Sequence, residues 1–224
     1  MHIAIPLFDR FTALDAVGPY EVLTRLPGAT VTFVGERTGP VRTETGALAV
    51  TVDASLDEVP CPDVIVVPGG PGTRVMLEPG RLHEWVRTAH ATTQWTTSVC
   101  TGALILGTAG VLEGLEATTH WATLDLLAPL CATAVADRRV VPQGKVVTAA
   151  GVSSGIDMAL WLAAQIAGDD VARAIQLGIE YDPQPPFDSG STAKADPEIV
   201  ALVRTMVTDP DRGPAPTAGT APAP

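Results

Sequence analysis

The 224-residue sequence predicts a single α/β domain, a sandwich in which a mainly parallel sheet carries helices on both faces. Short β-branched runs alternate with amphipathic segments, the order that builds parallel strands through crossover helices. The run at 63–67, Asp-Val-Ile-Val-Val, is continuously apolar, which is typical of a strand covered on both sides. The spacing of Leu82, Trp85, Val86 and Ala89 places them on one face of a helix.

The other predicted elements follow the same alternation. Strands are predicted at 2–7, 30–35 and 95–99, hairpins at 41–52 and 140–148, and helices at 14–26, 101–110, after 151–155, around 171–179 and at 199–206. We expect the domain to span 1–192 and a C-terminal helix to span 193–208. Residues 209–224 are rich in Pro and Ala with almost nothing to bury, so a disordered tail is expected there.

Composition excludes several classes of function. The formal net charge is -11 and no basic run occurs, so a nucleic-acid surface is not expected. The longest apolar stretch, 156–168, is too short and too polar to span a membrane. The first residues are typical of a strand rather than a signal peptide, which predicts a cytoplasmic protein.

Cysteine usage agrees with a reducing compartment. The three cysteines, Cys61, Cys100 and Cys131, form no Cys-x-x-Cys pair, which argues against a disulfide framework and a cysteine-based zinc site. No motif for a metal or an organic cofactor occurs, and we expect none.

Cys100 is the first candidate for chemistry. It stands where a predicted strand, 95–99, meets a helix rich in small residues. Such an elbow lifts a nucleophile out at the carboxyl end of the sheet, where α/β proteins bind ligands. The positive end of the following helix predicts a lowered pKa for the thiol. A small buried core residue is the alternative, since free cysteines are often buried.

Two further segments flank predicted strand ends. Pro-Gly-Gly-Pro-Gly at 68–72 follows the strongest strand, and its glycines allow either close approach to a ligand or simply a tight turn. Asp15 lies near a predicted helix start. It is either a helix cap or, if buried beside a thiol, a proton donor with a raised pKa.

His120 lies in Ala-Thr-Thr-His-Trp, 117–121, after the helix that follows Cys100. A histidine in this place could activate the cysteine as a base. A packed, hydrogen-bonded histidine is the alternative.

Together these segments resemble the ThiJ/PfpI superfamily, with its class I glutamine-amidotransferase-like fold, over about residues 2–192. The resemblance is carried by Pro-Gly-Gly-Pro-Gly at 68–72, the elbow at Cys100 and Ala-Thr-Thr-His-Trp at 117–121. Within the superfamily, the sequence is most similar to the isonitrile hydratases. Three segments point to them: Leu-Asp-Ala-Val-Gly-Pro-Tyr-Glu-Val at 14–22, Cys-Thr-Gly-Ala at 100–103 and Glu-Tyr-Asp-Pro-Gln-Pro-Pro-Phe-Asp at 180–188.

The resemblance implies roles for individual residues. Cys100 matches the nucleophile, and Asp15 matches a carboxylic acid beside the sulfur. Thr101 stands where PfpI-type proteases carry a histidine, which weakens a protease interpretation. Gly70 and Thr101 match backbone donors that line the pocket, while His120 matches a histidine found near the cysteine without a required role.

The resemblance therefore implies a hydro-lyase that converts an isonitrile to an N-substituted formamide through a covalent thioimidate, with a small-molecule substrate and a homodimeric assembly. Two alternatives stay open. One is a glyoxalase or deglycase acting on reactive carbonyls. The other is a non-catalytic ligand-binding or redox-sensing module, similar to the sensor half of AraC-type regulators. The acidic chain with its Pro/Ala tail in place of a helix-turn-helix domain favours the stand-alone enzyme.

Overall fold

The computed structural model describes residues 1–131 and 133–208. Its regular elements run in the order β1 His2–Pro6, α1 Ala13–Leu23, β2 Thr30–Gly35, β3 Gly39–Arg42, β4 Ala49–Val52, β5 Ala54–Ser55, β6 Val64–Val67, α2 Arg81–Thr92, β7 Trp95–Val99, α3 Gly102–Thr108, β8 Glu116–Ala117, α4 Leu124–Leu127, β9 Thr133–Ala134, β10 Val140–Gln143, β11 Val146–Ala149, α5 Ser154–Ala167, α6 Asp169–Gly178 and α7 Pro197–Thr208. Short 3-10 turns lie at Leu56–Glu58, Pro71–Met76, Trp121–Thr123 and Ala128–Leu130.

The central sheet has seven strands in the order β10-β11-β7-β6-β1-β2-β5. Every pair in it is parallel except β10 with β11, which form the predicted antiparallel hairpin. The other predicted hairpin is β3 with β4, outside the sheet. The predicted α/β fold with a mainly parallel sheet is confirmed.

Helices cover both faces of the sheet, as the apolar strands require. One face packs residues of α1, α5 and α6 against the sheet, and the other packs α2 and α3. All four residues of β6 are fully buried, and so are the last four of β7. Both strands are therefore held rigidly, and their carboxyl ends are fixed.

The described chain divides into two compact units. The first is Met1–Tyr181, which contains the whole sheet, and the second begins at Asp182 and contains α7. The predicted C-terminal helix is present and begins at Pro197 rather than at 193. The predicted tail at 209–224 lies outside the described residues. Within the described ranges, no helix is long and apolar enough to span a membrane.

The order of the strands decides where a site can form. From β1 the chain moves to β2 and β5 on one side and later crosses to β6, β7 and β11 on the other. The loops that leave β1 and β6 therefore diverge at their carboxyl ends, which opens the crevice where open α/β sheets bind ligands.

Candidate active site

Cys100 lies at a sharp turn at the carboxyl end of β7. Its φ is +56°, a left-handed conformation that side chains other than glycine seldom adopt. The backbone is fixed there because the Cys100 N–H donates to the carbonyls of Ala149 and Ala150, at 3.1 and 2.9 Å. The Thr119 hydroxyl donates to the Cys100 carbonyl at 2.9 Å. The predicted elbow geometry is therefore present.

The turn at Cys100 depends on a close approach between the start of α3 and the end of β6. A Cβ added at Gly102 would lie 2.2 Å from the carbonyl oxygen of Val67. Only glycine allows α3 to start so near the end of β6. This contact places the first turn of α3 directly beside the glycine-rich loop.

Asp15 reaches the same point from α1. It is the third residue of that helix, and its side chain is fully buried. Its Oδ2 accepts a hydrogen bond of 2.9 Å from the Gly69 N–H, on a different loop. The helix-cap interpretation of Asp15 is therefore wrong: Thr12 is the N-cap, and the carboxyl points into the protein toward Gly69.

The carboxyl of Asp15 interacts with the thiol of Cys100, and the two form a buried pair. Burial raises the pKa of Asp15 from 3.8 to about 7, and the charge of Glu44 adds to this. Hydrogen bonds from the Gly69 N–H and the Cys100 thiol act in the opposite direction. The other carboxyl oxygen, Oδ1, is buried without a partner of good hydrogen-bond geometry in the described chain, so it can serve an incoming molecule.

The predicted lowering of the Cys100 pKa is wrong. Burial raises the pKa of this thiol well above its ordinary value, and the negative charge of Asp15 raises it further. The backbone N–H groups of Val152 and Thr101 favour the thiolate and lower the pKa, but by less. The cost of removing the thiolate from water thus exceeds the stabilisation that the N-terminus of α3 provides, since α3 has only seven residues.

The coupled groups share protons and titrate as a pair. With one proton between them, the pair exists either as thiol with carboxylate or as thiolate with carboxylic acid. The second form combines a nucleophile with an acid in one buried place. This arrangement can deliver a nucleophile and a proton to the same atom of a bound molecule.

The loop at Gly70 and Thr101 forms the next wall of the site. The Gly70 N–H donates to the Thr101 hydroxyl at 2.8 Å, and that hydroxyl also lies 3.2 Å from the Gly70 carbonyl. Gly70 has a φ of +139°, and an added Cβ would lie 2.5 Å from the Thr12 nitrogen. The structure therefore brings Gly70 and Thr101 together, but the Gly70 N–H, which was predicted to be a donor that lines the pocket, already donates to Thr101.

His120 lies against Gly151, in the loop that follows β11. Its Nδ1 accepts from the Ala122 N–H at 3.3 Å, its ring stacks against Trp121, and a Cβ at Gly151 would meet its ring at 2.8 Å. Among the described residues, no hydrogen bond joins it to Cys100. Burial lowers the pKa of His120, which favours the neutral ring. These contacts are those of a packed histidine.

Sequence reasoning missed four residues that contribute to the site: Gly69, Thr119, Val152 and Glu44. Gly69 and Thr119 lie inside motifs that the sequence analysis identified, but only the fold shows that they contact Asp15 and Cys100. Val152 follows β11, and the parallel pairing of β11 with β7 is the signal that would have indicated it. Glu44 lies between β3 and β4, outside the sheet, and its sequence surroundings carry no signal.

A cavity of about 350 Å³ lies at the carboxyl ends of β1 and β2. Leu7, Phe8, Leu56, Met76 and Leu82 line its apolar wall. Asp15 and Cys100 do not line it. In the described ranges, no group of three or more His, Cys, Asp or Glu side chains could hold a metal ion.

Comparison with known proteins agrees with this geometry. Residues 1–165 match the DJ-1/PfpI family. The chain belongs to the DJ-1/PfpI family. The predicted resemblance is thereby confirmed.

Three relatives of this DJ-1/PfpI chain are similar to it over most of its length. It is 44% identical over 204 residues to the isonitrile hydratase of Pseudomonas putida, covering 91% of this chain and 89% of that protein. It is 30% identical over 187 residues to protein DJ-1 homolog A of Arabidopsis thaliana, covering 82% of this chain but 47% of that protein. The crystal structure of a ThiJ/PfpI family protein from Pseudomonas syringae superposes with a TM-score of 0.88 at 33% identity, covering 92% and 86% of the two chains.

Proposed function

We propose that the protein is an isonitrile hydratase, a hydro-lyase that adds water to an isonitrile and releases an N-substituted formamide. The observation that carries the proposal is the buried pair of Asp15 and Cys100, which holds a nucleophile and an acid side by side. The 44% identity to the isonitrile hydratase of Pseudomonas putida over most of both chains supports the same substrate class.

The first half of the reaction uses the pair in its thiolate and carboxylic acid form. The Cys100 sulfur attacks the terminal carbon of the isonitrile, and Asp15 gives its proton to that carbon. A carbon–sulfur and a carbon–hydrogen bond form, leaving a thioimidate on Cys100 and a carboxylate at Asp15. The Val152 and Thr101 N–H groups stabilise the thiolate before attack.

The second half uses the Asp15 carboxylate as a base. It takes a proton from water as the water oxygen attacks the thioimidate carbon, and it passes that proton to the nitrogen. The hydroxyl proton then returns to Asp15 as the carbon–sulfur bond breaks. The formamide leaves, and the thiolate and carboxylic acid are restored, so that one water is consumed per turnover.

A substrate panel tests this proposal. We expect purified protein to convert alkyl and aryl isonitriles to formamides, detected by mass spectrometry, and Cys100→Ser to abolish the conversion. Methylglyoxal and hydrogen peroxide serve as comparison substrates for the carbonyl-enzyme and redox-sensor alternatives. If no isonitrile is consumed while methylglyoxal is, the hydratase proposal is refuted in favour of the carbonyl enzyme; if only peroxide reacts, the sensor is favoured.

Glu44 offers a test of the electrostatics. The reactive pair holds one proton, so the acid limb of the pH–rate profile reports the loss of the first proton, which comes from Asp15. Because the charge of Glu44 raises the pKa of Asp15, Glu44→Gln should lower that pKa and move the acid limb to lower pH. Glu36→Gln is the control, since Glu36 is exposed and does not act on Asp15. A limb that stays in place, or that moves equally in both variants, would contradict the assignment of the limb to Asp15.

The homodimer and the cytoplasmic location remain predictions from the resemblance and the sequence. Sedimentation at micromolar concentration measures the first directly.

A further inference from the structure

Arg139 contacts both ends of the loop that follows β11. Its carbonyl oxygen accepts a hydrogen bond of 2.8 Å from the Ala150 N–H. Its guanidinium donates to the Ser153 hydroxyl at 3.3 Å and, through Nε, to Asp157 Oδ2 at 2.7 Å. Arg139 therefore contacts both ends of the segment that runs from Ala150 to the first turn of α5.

Val152, at the centre of this segment, has an unusual backbone. Its φ is +21°, which a β-branched residue rarely adopts and which persists only where surrounding contacts hold it. In this conformation its N–H favours the thiolate of Cys100 and lowers the pKa of the thiol. The same loop is joined to Cys100 by the hydrogen bond of 2.9 Å from the Cys100 N–H to the Ala150 carbonyl. A relaxed Val152 would turn that N–H away from the sulfur.

Tyr181 contacts the same carboxylate, that of Asp157. Its hydroxyl donates to Asp157 Oδ1 at 2.8 Å, so both carboxylate oxygens of Asp157 have a partner. The side chains of Arg139 and Asp157 are 51% and 32% exposed. Ion pairs this exposed contribute little to global stability, so a local positioning role accounts for the arrangement better than a stabilising one.

We infer that Arg139 is a positioning residue for the reactive thiol: through Ala150, Ser153 and Asp157 it holds the Val152 N–H against the sulfur of Cys100. The inference deepens the proposed function and rests on Cys100 as its reactive group, but not on the identity of the substrate. Asp15 on α1 is the charged group that faces the sulfur, with Glu44 acting on Asp15 from the β3–β4 hairpin. Arg139 therefore acts through the loop rather than by its charge.

The test measures the alkylation of Cys100 by iodoacetamide as a function of pH, with Cys61 and Cys131 replaced by serine. In Arg139→Gln, the midpoint should rise by about one pH unit, since a hydrogen bond to an ionised group is worth about one to two units of pKa. Alkylation near neutral pH should then slow about tenfold. Tyr181→Phe should move the midpoint in the same direction by less.

Arg138→Gln is the matched control. Arg138 is the adjacent residue, is similarly exposed and forms its own ion pair with Glu116 at 2.5 Å, away from the loop. Its midpoint should equal that of the parent. The inference is overturned if Arg138→Gln moves the midpoint as far as Arg139→Gln does. It is also overturned if Arg139→Gln folds and leaves the midpoint unchanged.

If Arg139→Gln does not fold, Tyr181→Phe, which removes a single oxygen, decides: a raised midpoint supports the inference and an unchanged one overturns it. Alkylation requires no isonitrile. A protein that fails to hydrate isonitriles would therefore still give a result here, and the two failures are distinguishable.

Discussion

Asp15→Asn should lower the rate of isonitrile hydration by about 10²–10⁴-fold, the usual contribution of a positioned acid–base group. Asparagine can still accept the hydrogen bond from the Gly69 N–H, but it can neither give a proton to the isonitrile carbon nor take one from water. The fold should survive, and the melting temperature should stay equal to that of the wild type or rise.

The rise in stability follows from the direction of the pKa shift. The pKa of Asp15 is about 7 in the folded protein against an ordinary 3.8, so between these values the folded state binds a proton that the unfolded chain has released. Asp15 therefore destabilises the fold increasingly as pH rises from about 4 to 7, and the cost is fully present above 7. The Asn variant lacks this cost, so its advantage in melting temperature should grow over that range and then level off.

Turnover and melting temperature are measured on the same preparations at pH 5 and pH 8. Asp15→Glu is the companion variant, since it keeps the acid but adds one methylene to a fully buried side chain. If Asp15→Asn hydrates isonitriles at close to the wild-type rate, the proton-transfer steps are wrong even if Cys100 proves essential.

Gly102→Ala should destabilise the protein by about 1–3 kcal/mol or more and remove most activity. The added methyl group would lie 2.2 Å from the Val67 carbonyl oxygen and 2.8 Å from that of Pro68, and backbone atoms in a buried strand end cannot move aside cheaply. Either α3 shifts away from β6 or the elbow at Cys100 distorts. Both changes separate the sulfur from Asp15.

Gly178→Ala is the control for this substitution. Gly178 ends α6, and an added Cβ there meets nothing within 4 Å. Its free energy of unfolding in urea should be unchanged or slightly higher, because alanine favours a helix. Equal free energies of unfolding for the two variants would show that the backbone near Gly102 and Val67 has room for a methyl group.

Much of the fold could be predicted because local sequence and global topology agree. The run ending at Val67 is apolar on both faces, and the strand 95–99 was predicted with its observed bounds. Hairpins centred near Gly46 and Gly144 also agree, since both glycines have the positive φ that such turns need. The start of α7 was less well placed because few apolar residues precede Pro197.

The site was predictable as a set of residues but not as an electrostatic environment. The sequence indicates that Cys100 precedes a helix, which by itself favours thiolate. It cannot indicate that the sulfur is buried opposite a carboxyl group some 85 residues earlier in the chain, and that long-range contact reverses the direction of the pKa shift. The role of Asp15 was undecided for the same reason, because a cap and a buried acid have the same local sequence.

Cys100 is only 5% exposed, and this burial has a consequence for which electrophiles can react with its sulfur. A terminal isonitrile carbon bears no substituent and lies at the tip of a linear group. It can pass through a narrow opening and meet the sulfur end-on. A carbonyl carbon is planar and carries two substituents, so a nucleophile must approach it from above that plane. A shallow, wide opening suits the carbonyl, whereas a deep, narrow one selects the rod-shaped head group by its width alone.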